Sequence, residues 1–81
     1  MTTLRLKLPR MRGEDAKTFQ WGVTKAGFDC GPVDGIYGLK SYNACKAFQT
    51  AQKIKVDGIV GPVTWSRLNA SGGGYGSRLI E

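Results

Sequence analysis

The sequence predicts an all-α fold: a small three-helix bundle with two Asp-Gly loops, a short extended N-terminal arm and a flexible C-terminal tail. Apolar residues recur with helical spacing in three separate stretches of the chain. The hexapeptide VDGIYG at 33–38 returns as VDGIVG at 56–61, 23 residues later, and each copy precedes one of these stretches. An 81-residue chain has room for one domain with a modest core.

Residues 1–12 are predicted to form a basic extended arm. Leu4, Leu6 and Leu8 alternate with basic residues, a pattern of period two that is typical of an extended segment, and Pro9 ends it. The arm has four basic residues and no acidic one, whereas the rest of the chain has 8 basic and 6 acidic residues. This concentration of positive charge indicates attraction to an anionic polymer, such as DNA, teichoic acid or the carboxylates of cell-wall peptides.

Residues 13–70 are predicted to contain the three helices. The first begins near Glu14 and is stopped by Gly27, and the second spans 40–53. The third begins at Pro62, a residue that suits the first helical position because its missing N–H would be unpaired there anyway. The residues that helical spacing places toward the core are Ala16, Phe19, Val23, Ala26, Ser41, Ala44, Cys45, Phe48, Ala51, Trp65 and Leu68.

Each Asp-Gly pair could be the two-residue turn of a β-hairpin. Strands flanking Asp34 and Gly35 would have to extend through Pro32 and Gly38, however, and those residues interrupt strand pairing. We therefore expect tight loops that lead into helices, in which aspartate accepts hydrogen bonds from nearby backbone N–H groups and glycine allows a positive φ. The predicted loop framework consists of Asp34, Gly35, Gly38, Asp57, Gly58 and Gly61.

The segment SGGGYGS at 71–77 is typical of a flexible linker, so residues 71–81 are expected to form a glycine-rich linker or tail. No run of residues approaches the roughly 18 apolar positions of a membrane span. The N-terminus is basic but lacks the apolar stretch of a secretory signal, so the sequence leaves the route of export open.

The order of these motifs resembles a known family. DGIYG, then Ala47-Phe48-Gln49, then DGIVG, then Thr64-Trp65 and Leu68 follow one another as in the small three-helix peptidoglycan-binding module. That module is attached to many bacterial and phage wall hydrolases, including endolysins and amidases. The resemblance covers residues 14–69 and implies a noncatalytic module, acting at the bacterial cell wall, that anchors a linked or partner hydrolase to murein without a cofactor.

The resemblance also implies a ligand groove near the first loop and the adjoining helices. Candidate contacts to a stem peptide or amino sugar there are Ile36, Tyr37, Tyr42 and Gln49. Either tyrosine could instead lie at the rim of the core, and the glutamine amide could instead pair with a loop carbonyl. Trp21 is a further candidate, because the helical period places it toward solvent in line with Lys17 and Lys25; the alternative is that it packs beneath the arm.

The composition argues against catalysis. With no histidine, the chain lacks the usual general base and metal ligand. A glycosidase would need two carboxylates about 5–10 Å apart, one of them with a raised pKa, and a role in turns already accounts for Asp34 and Asp57. Cys30 and Cys45 are too few to hold a structural zinc ion, and we expect both to be reduced thiols. We therefore predict no catalytic residue, no metal and no cofactor.

Two other functions are compatible with parts of the sequence. Three short helices with a basic arm could imitate a helix-turn-helix unit, but the third helix offers only Arg67 and Asn69 for reading bases, which argues against nucleic acid as the partner. The other alternative is a structural or interaction domain of a phage or cell-envelope protein that keeps the fold without the ligand.

Overall fold

The computed structural model describes residues 3–70, which form three helices and a small two-stranded sheet. The elements, in chain order, are β1 (Met11–Arg12), α1 (Glu14–Lys25), β2 (Ile36–Tyr37), α2 (Leu39–Gln52) and α3 (Pro62–Ala70). The three predicted helices are confirmed. The prediction of an all-α fold is incomplete, because it did not include the sheet. The predicted tail at 71–81 lies outside the described residues.

Local chemistry accounts for the helix ends. α1 begins with Glu14 and Asp15 and has Lys25 in its last turn, which places charges of the favourable sign at both ends of the helix dipole. α2 ends where Lys53 adopts a left-handed conformation with φ of 59°, and its backbone N–H returns to the carbonyl of Thr50 at 3.1 Å. α3 begins with Pro62, as expected.

The core lies between the three helices and is rich in aromatic rings. The Phe19 ring, on α1, meets Trp65 edge-on with ring centres 6.2 Å apart and lies 5.7 Å from the ring of Tyr37. Phe48, on α2, meets the half-buried Phe28 edge-on at 5.7 Å. One predicted core residue is misplaced: Ala51 is exposed, because the buried face of α2 turns through Gln49 instead.

The N-terminal arm crosses both copies of the repeated hexapeptide. Leu4 is 2% exposed and pairs with Val60, with hydrogen bonds of 3.1 and 2.8 Å between their backbones. Further along, Met11 pairs with Tyr37 in the antiparallel sheet of β1 and β2. Val60 and Tyr37 are equivalent positions of the two copies, so the arm pairs once with each copy. Within residues 3–70, no helix combines the length and apolar character that crossing a membrane requires.

Candidate functional site

A buried glutamine organises the first Asp-Gly loop. Gln20, on α1 and 1% exposed, directs its Nε2 toward Asp34 Oδ1 at 3.0 Å, the carbonyl of Ile36 at 2.9 Å and Ser41 Oγ at 3.0 Å. Its Oε1 accepts a hydrogen bond from the Gly35 N–H at 2.8 Å. One amide therefore joins α1, the loop and the first turn of α2. We call these five residues the first glutamine network.

The second loop has the same arrangement. Gln49, on α2 and 1% exposed, directs its Nε2 toward Asp57 Oδ1 at 3.0 Å, the carbonyl of Ile59 at 3.0 Å and Thr64 Oγ1 at 3.1 Å. Its Oε1 accepts hydrogen bonds from the N–H groups of Asp57, at 3.1 Å, and Gly58, at 2.9 Å. These five residues form the second glutamine network, which joins α2 and α3 as the first joins α1 and α2.

Each aspartate also closes its own turn. Asp34 Oδ1 accepts a hydrogen bond from the Ile36 N–H at 3.0 Å, and Asp57 Oδ1 accepts one from the Ile59 N–H at 2.9 Å. The hydrogen bond from the Ile36 N–H, followed by the one from the Gln20 amide, holds the pKa of Asp34 below its usual value. For Asp57, the hydrogen bond from the Ile59 N–H is again the main cause of a lowered pKa; desolvation opposes it, and smaller contributions from Gln49 and Lys55 lower the pKa further. Both carboxylates therefore stay ionised at neutral pH.

The glycines of the loops have distinct roles. Gly35 and Gly58, the residues after the aspartates, have φ of +78° and +72°, a conformation that residues with a side chain rarely adopt. A Cβ atom on Gly58 would also lie 2.2 Å from Cε1 of Tyr42, so that ring packs directly on the second loop. Gly38 and Gly61 immediately precede α2 and α3, and their carbonyls accept the first backbone hydrogen bonds of those helices.

A shallow groove opens beside each loop. The first groove, of about 430 Å³, is lined by Gln20, Cys30, Pro32, Asp34, Ile36, Gly38, Leu39, Lys40 and Ser41. The second groove, of about 480 Å³, is lined by Gln49, Ile54, Lys55, Asp57, Ile59, Gly61, Pro62, Val63 and Thr64. A smaller groove of about 240 Å³ lies on the other side of the first loop, where it is bordered by Arg12, Gly13, Glu14, Lys17, Asp34, Gly35 and Ile36.

Two of the predicted ligand contacts, Tyr37 and Gln49, are buried, and their polar atoms are hydrogen-bonded within the protein. Tyr37 is 0% exposed, and its hydroxyl donates to the carbonyl of Gly58 at 2.7 Å; burial raises its pKa above the ordinary range of a tyrosine. The amide of Gln49 is occupied by the second glutamine network. Of the alternatives weighed for these two residues, the structure fits the loop carbonyl for Gln49 and a core position for Tyr37.

The other three candidates reach the surface. Ile36 is half-buried and borders both the first groove and the smaller groove beside it. Tyr42 is half-buried, with the Nζ of Lys46 located 5.2 Å from its ring centre. Trp21 is 48% exposed, with the Nζ of Lys25 4.5 Å from its ring centre. Neither aromatic residue lines the three grooves described above.

The two cysteines are buried free thiols. Cys30 is 1% exposed, and its Sγ donates to the carbonyl of Gln20 at 3.4 Å. Burial raises the pKa of Cys45 to about 11, so its thiol stays protonated at neutral pH. Among residues 3–70, no cluster of three His, Cys, Asp or Glu side chains is placed to hold a metal ion.

Gln20 is the organising residue that the sequence analysis missed. A signal for it exists, because the dipeptide Phe-Gln occurs twice, at 19–20 and 48–49. In both places the phenylalanine is buried in the core and the glutamine next to it binds the following Asp-Gly loop. The two dipeptides are 29 residues apart, whereas the hexapeptides are 23 apart, so a search for one fixed period does not align them.

The chain is similar to proteins of several bacterial and phage systems. It is 40% identical over 56 residues to the N-acetylmuramoyl-L-alanine amidase CwlM of Mycobacterium tuberculosis, which covers 69% of this chain and 14% of the amidase. The solved Burkholderia AP3 phage endolysin matches with a TM-score of 0.77 and 40% identity, over 85% of this chain and 25% of the endolysin. The chain therefore spans only a small part of these two proteins.

A third match is nearly of the same length. The SleB N-terminal domain superposes with a TM-score of 0.77 and 31% identity, over 86% of this chain and 93% of that domain. Residues 12–68, from the end of β1 to the last turn of α3, match the family described as "Putative peptidoglycan binding domain". That interval contains both glutamine networks and both loops, and on this match the chain belongs to the peptidoglycan-binding domain family.

Proposed function

We propose that this domain is a noncatalytic module that holds a linked or partner cell-wall hydrolase against peptidoglycan. Its family membership and its resemblance to parts of an endolysin and an amidase support this role. The observation that carries the proposal is the pair of grooves beside the two loops, since each is a shallow surface whose walls are fixed by a buried glutamine.

The state of the carboxylates supports binding rather than hydrolysis. A glycosidase needs one carboxyl group with a raised pKa to act as general acid. In this domain the pKa values of Asp34 and Asp57 are both lowered, because the two groups accept hydrogen bonds that favour the charged form. Each Oδ1 closes a turn, so the two aspartates serve the architecture of the loops.

The first groove, with Ile36 on its wall, is the proposed contact for a stem peptide. Its surface is mainly apolar and its polar groups are few, which suits a short peptide with small side chains. Trp21 and Tyr42 offer ring faces elsewhere on the surface that could stack on amino sugars. Weak binding at such sites is sufficient for a tethered enzyme, because the module acts by raising the enzyme's effective concentration at an insoluble polymer.

Co-sedimentation tests this function. The purified domain is mixed with insoluble sacculi, or with duplex DNA on beads, at about 0.15 M salt, and the pellet is analysed after centrifugation. Retention on sacculi without release of soluble fragments is the expected result. Retention on DNA alone would reverse the assignment, retention on neither would indicate an interaction domain, and release of soluble muropeptides would show that the domain is an enzyme.

A further inference from the structure

The first and second grooves are built from equivalent positions of the repeat. Six residues of the first groove, from Asp34 to Ser41, correspond one by one to six residues of the second, from Asp57 to Thr64, after a shift of 23 positions. The glutamine that forms the floor of each groove is also equivalent in its hydrogen bonds. Any ligand class recognised by the shared features of one groove is therefore also suited to the other.

Each groove combines an apolar surface with one acidic and one basic residue. The first contains Asp34 and Lys40 beside the side chain of Leu39, which is 57% exposed. The second contains Asp57 and Lys55 beside Val63, which is 60% exposed. A ligand that complements these surfaces carries an ammonium group and a carboxylate close together on a mainly aliphatic residue.

The two aspartates can accept an additional cation. Their hydrogen bonds from the loop N–H groups and from the glutamine amides all end on Oδ1. A carboxylate has lone pairs for about four hydrogen bonds, so Oδ2 of each aspartate retains acceptor capacity. Since these bonds favour the ionised form, each carboxylate presents a negative charge to its groove at neutral pH.

We infer that each groove binds one zwitterionic diamino-acid residue of a peptidoglycan stem, so that a single domain engages two stems. The free side-chain ammonium of the residue pairs with Asp34 or Asp57, and its carboxylate pairs with Lys40 or Lys55. This inference rests on the proposed function and specifies its ligand. A glycan strand lacks the ammonium and teichoic acid phosphate pairs only with the lysine, so neither uses both charges of a groove.

The lysines of the two grooves, Lys40 and Lys55, come from segments of the chain that are not equivalent in the repeat. Lys40 comes from α2, whereas Lys55 comes from the segment before the second loop and is equivalent to Pro32 of the first. The charge pair therefore has a different direction in each groove, and the two stems would bind in different orientations. Two weak contacts on one rigid domain raise the retention on a cross-linked polymer beyond what either contact gives alone.

A titration followed by amide NMR shifts tests the inference. The probe is the free tripeptide L-Ala-γ-D-Glu-meso-diaminopimelate, and the control probe is the same tripeptide with its free ε-amine acetylated. We expect two separate sets of shifts, around Ile36 to Lys40 and around Ile59 to Val63. Asp34→Asn should weaken the first set and Asp57→Asn the second, each about three- to fivefold, since these are partly exposed ion pairs.

Asp29→Asn is the matched control, because Asp29 Oδ1 accepts a hydrogen bond from the Gly31 N–H at 2.9 Å in a similar turn but lies outside both grooves. It should leave both sets unchanged. A single set of shifts, equal binding of the acetylated probe, or no shifts at all would overturn the inference. If the domain is still retained on sacculi in those cases, the proposed function stands and only the ligand assignment fails.

Discussion

At the scale of single residues, Gln20 and Gln49 determine the geometry of both loops. Glutamine is seldom fully buried, because an unpaired amide in the interior costs free energy. Both side chains are 1% exposed here, and both are tolerated because their Nε2 and Oε1 atoms all have partners. The loops in turn depend on the amides for the positions of their N–H and carboxylate groups.

Replacing Gln49 by Leu should therefore lower the free energy of unfolding by about 2–3 kcal/mol, because the buried N–H of Gly58 and the hydroxyl of Thr64 lose a partner. Urea denaturation followed by circular dichroism measures the change. Gln52→Leu is the control, since Gln52 is half-buried at the end of α2, and its effect should be under about 0.5 kcal/mol. Equal effects of the two substitutions would contradict the role given to the second glutamine network.

The residue scale is also where the sequence was least informative. The resemblance implies a ligand groove with Tyr37 and Gln49 among its contacts, whereas both side chains are at most 1% exposed. Helical or strand periodicity could not place Tyr37, since β2 is only two residues long. The burial of Gln49 depends on partners in a loop eight residues later, and such contacts are not visible in local spacing.

At the scale of elements, the arm is an integral part of the domain rather than an appendage. Leu4 belongs to the core cluster and pairs with the second copy of the repeat, whereas Leu8 is 80% exposed. The arm thus pairs through its backbone with both copies of the repeat, at Ile36 and Tyr37 in the first copy and at Val60 in the second.

Leu4→Ala should consequently lower the free energy of unfolding by about 2–4 kcal/mol through the cavity it leaves in the core. Thermal or urea unfolding provides the measurement. Leu8→Ala removes the same atoms from an exposed position of the same arm and should change stability by less than about 0.5 kcal/mol. If both variants were as stable as the wild type, the pairing of Leu4 with Val60 would not be maintained in solution.

The two loops predict a pH dependence. A carboxyl group whose pKa is lowered on folding stabilises the fold above its unfolded value, 3.8 here, and loses that contribution as the pH falls through the folded value. The free energy of unfolding should therefore decrease below about pH 4. The double variant Asp34→Asn with Asp57→Asn retains an acceptor oxygen in each turn but cannot titrate.

For this double variant, the free energy of unfolding should change less between neutral pH and about pH 2 than it does for the wild type. Chemical denaturation at a series of pH values compares the two proteins. The other acidic residues of the chain are the same in both proteins, so some slope should remain. Parallel curves would show that the turns do not depend on ionised carboxylates.

The helices were predictable because their signals are local. Glycine stops α1, proline starts α3, and apolar residues repeat at helical spacing between these points. The sheet was not predictable, because it joins residues of the arm to residues about 25 positions later and each strand has two residues. Strands of that length carry no alternation that could distinguish them from loop.

At the scale of the whole molecule, charge is unevenly distributed. The chain has a net charge of +6, and Arg5, Lys7 and Arg12 of the arm are exposed. Retention on sacculi should therefore decrease between about 0.1 M and about 1 M salt, as the screening length falls from about 10 Å to about 3 Å. The double variant Arg5→Gln with Lys7→Gln should show a smaller decrease, and sedimentation assays over a salt series measure it.

Arg67→Gln is the comparison variant, since Arg67 is an exposed cation that belongs to α3 and not to the arm. It removes one charge where the arm variant removes two, so it should alter the salt dependence by less than half as much. Equal responses per charge removed would mean that attraction depends on net charge and not on the arm. Retention that does not respond to salt at all would contradict a contribution of the arm's charge to binding.

The hydrogen bond from Tyr37 to Gly58 limits how this sequence can be shortened. It connects the segment after the first loop to the backbone of the second, and the pairing of Leu4 with Val60 connects the N-terminal arm to the second copy of the repeat. A peptide cut to the first hexapeptide and one helix would leave the Tyr37 hydroxyl without its acceptor. It would also lack the core residues that the other elements supply. The smallest unit that can fold by itself, whether excised or made synthetically, therefore contains both copies of the hexapeptide.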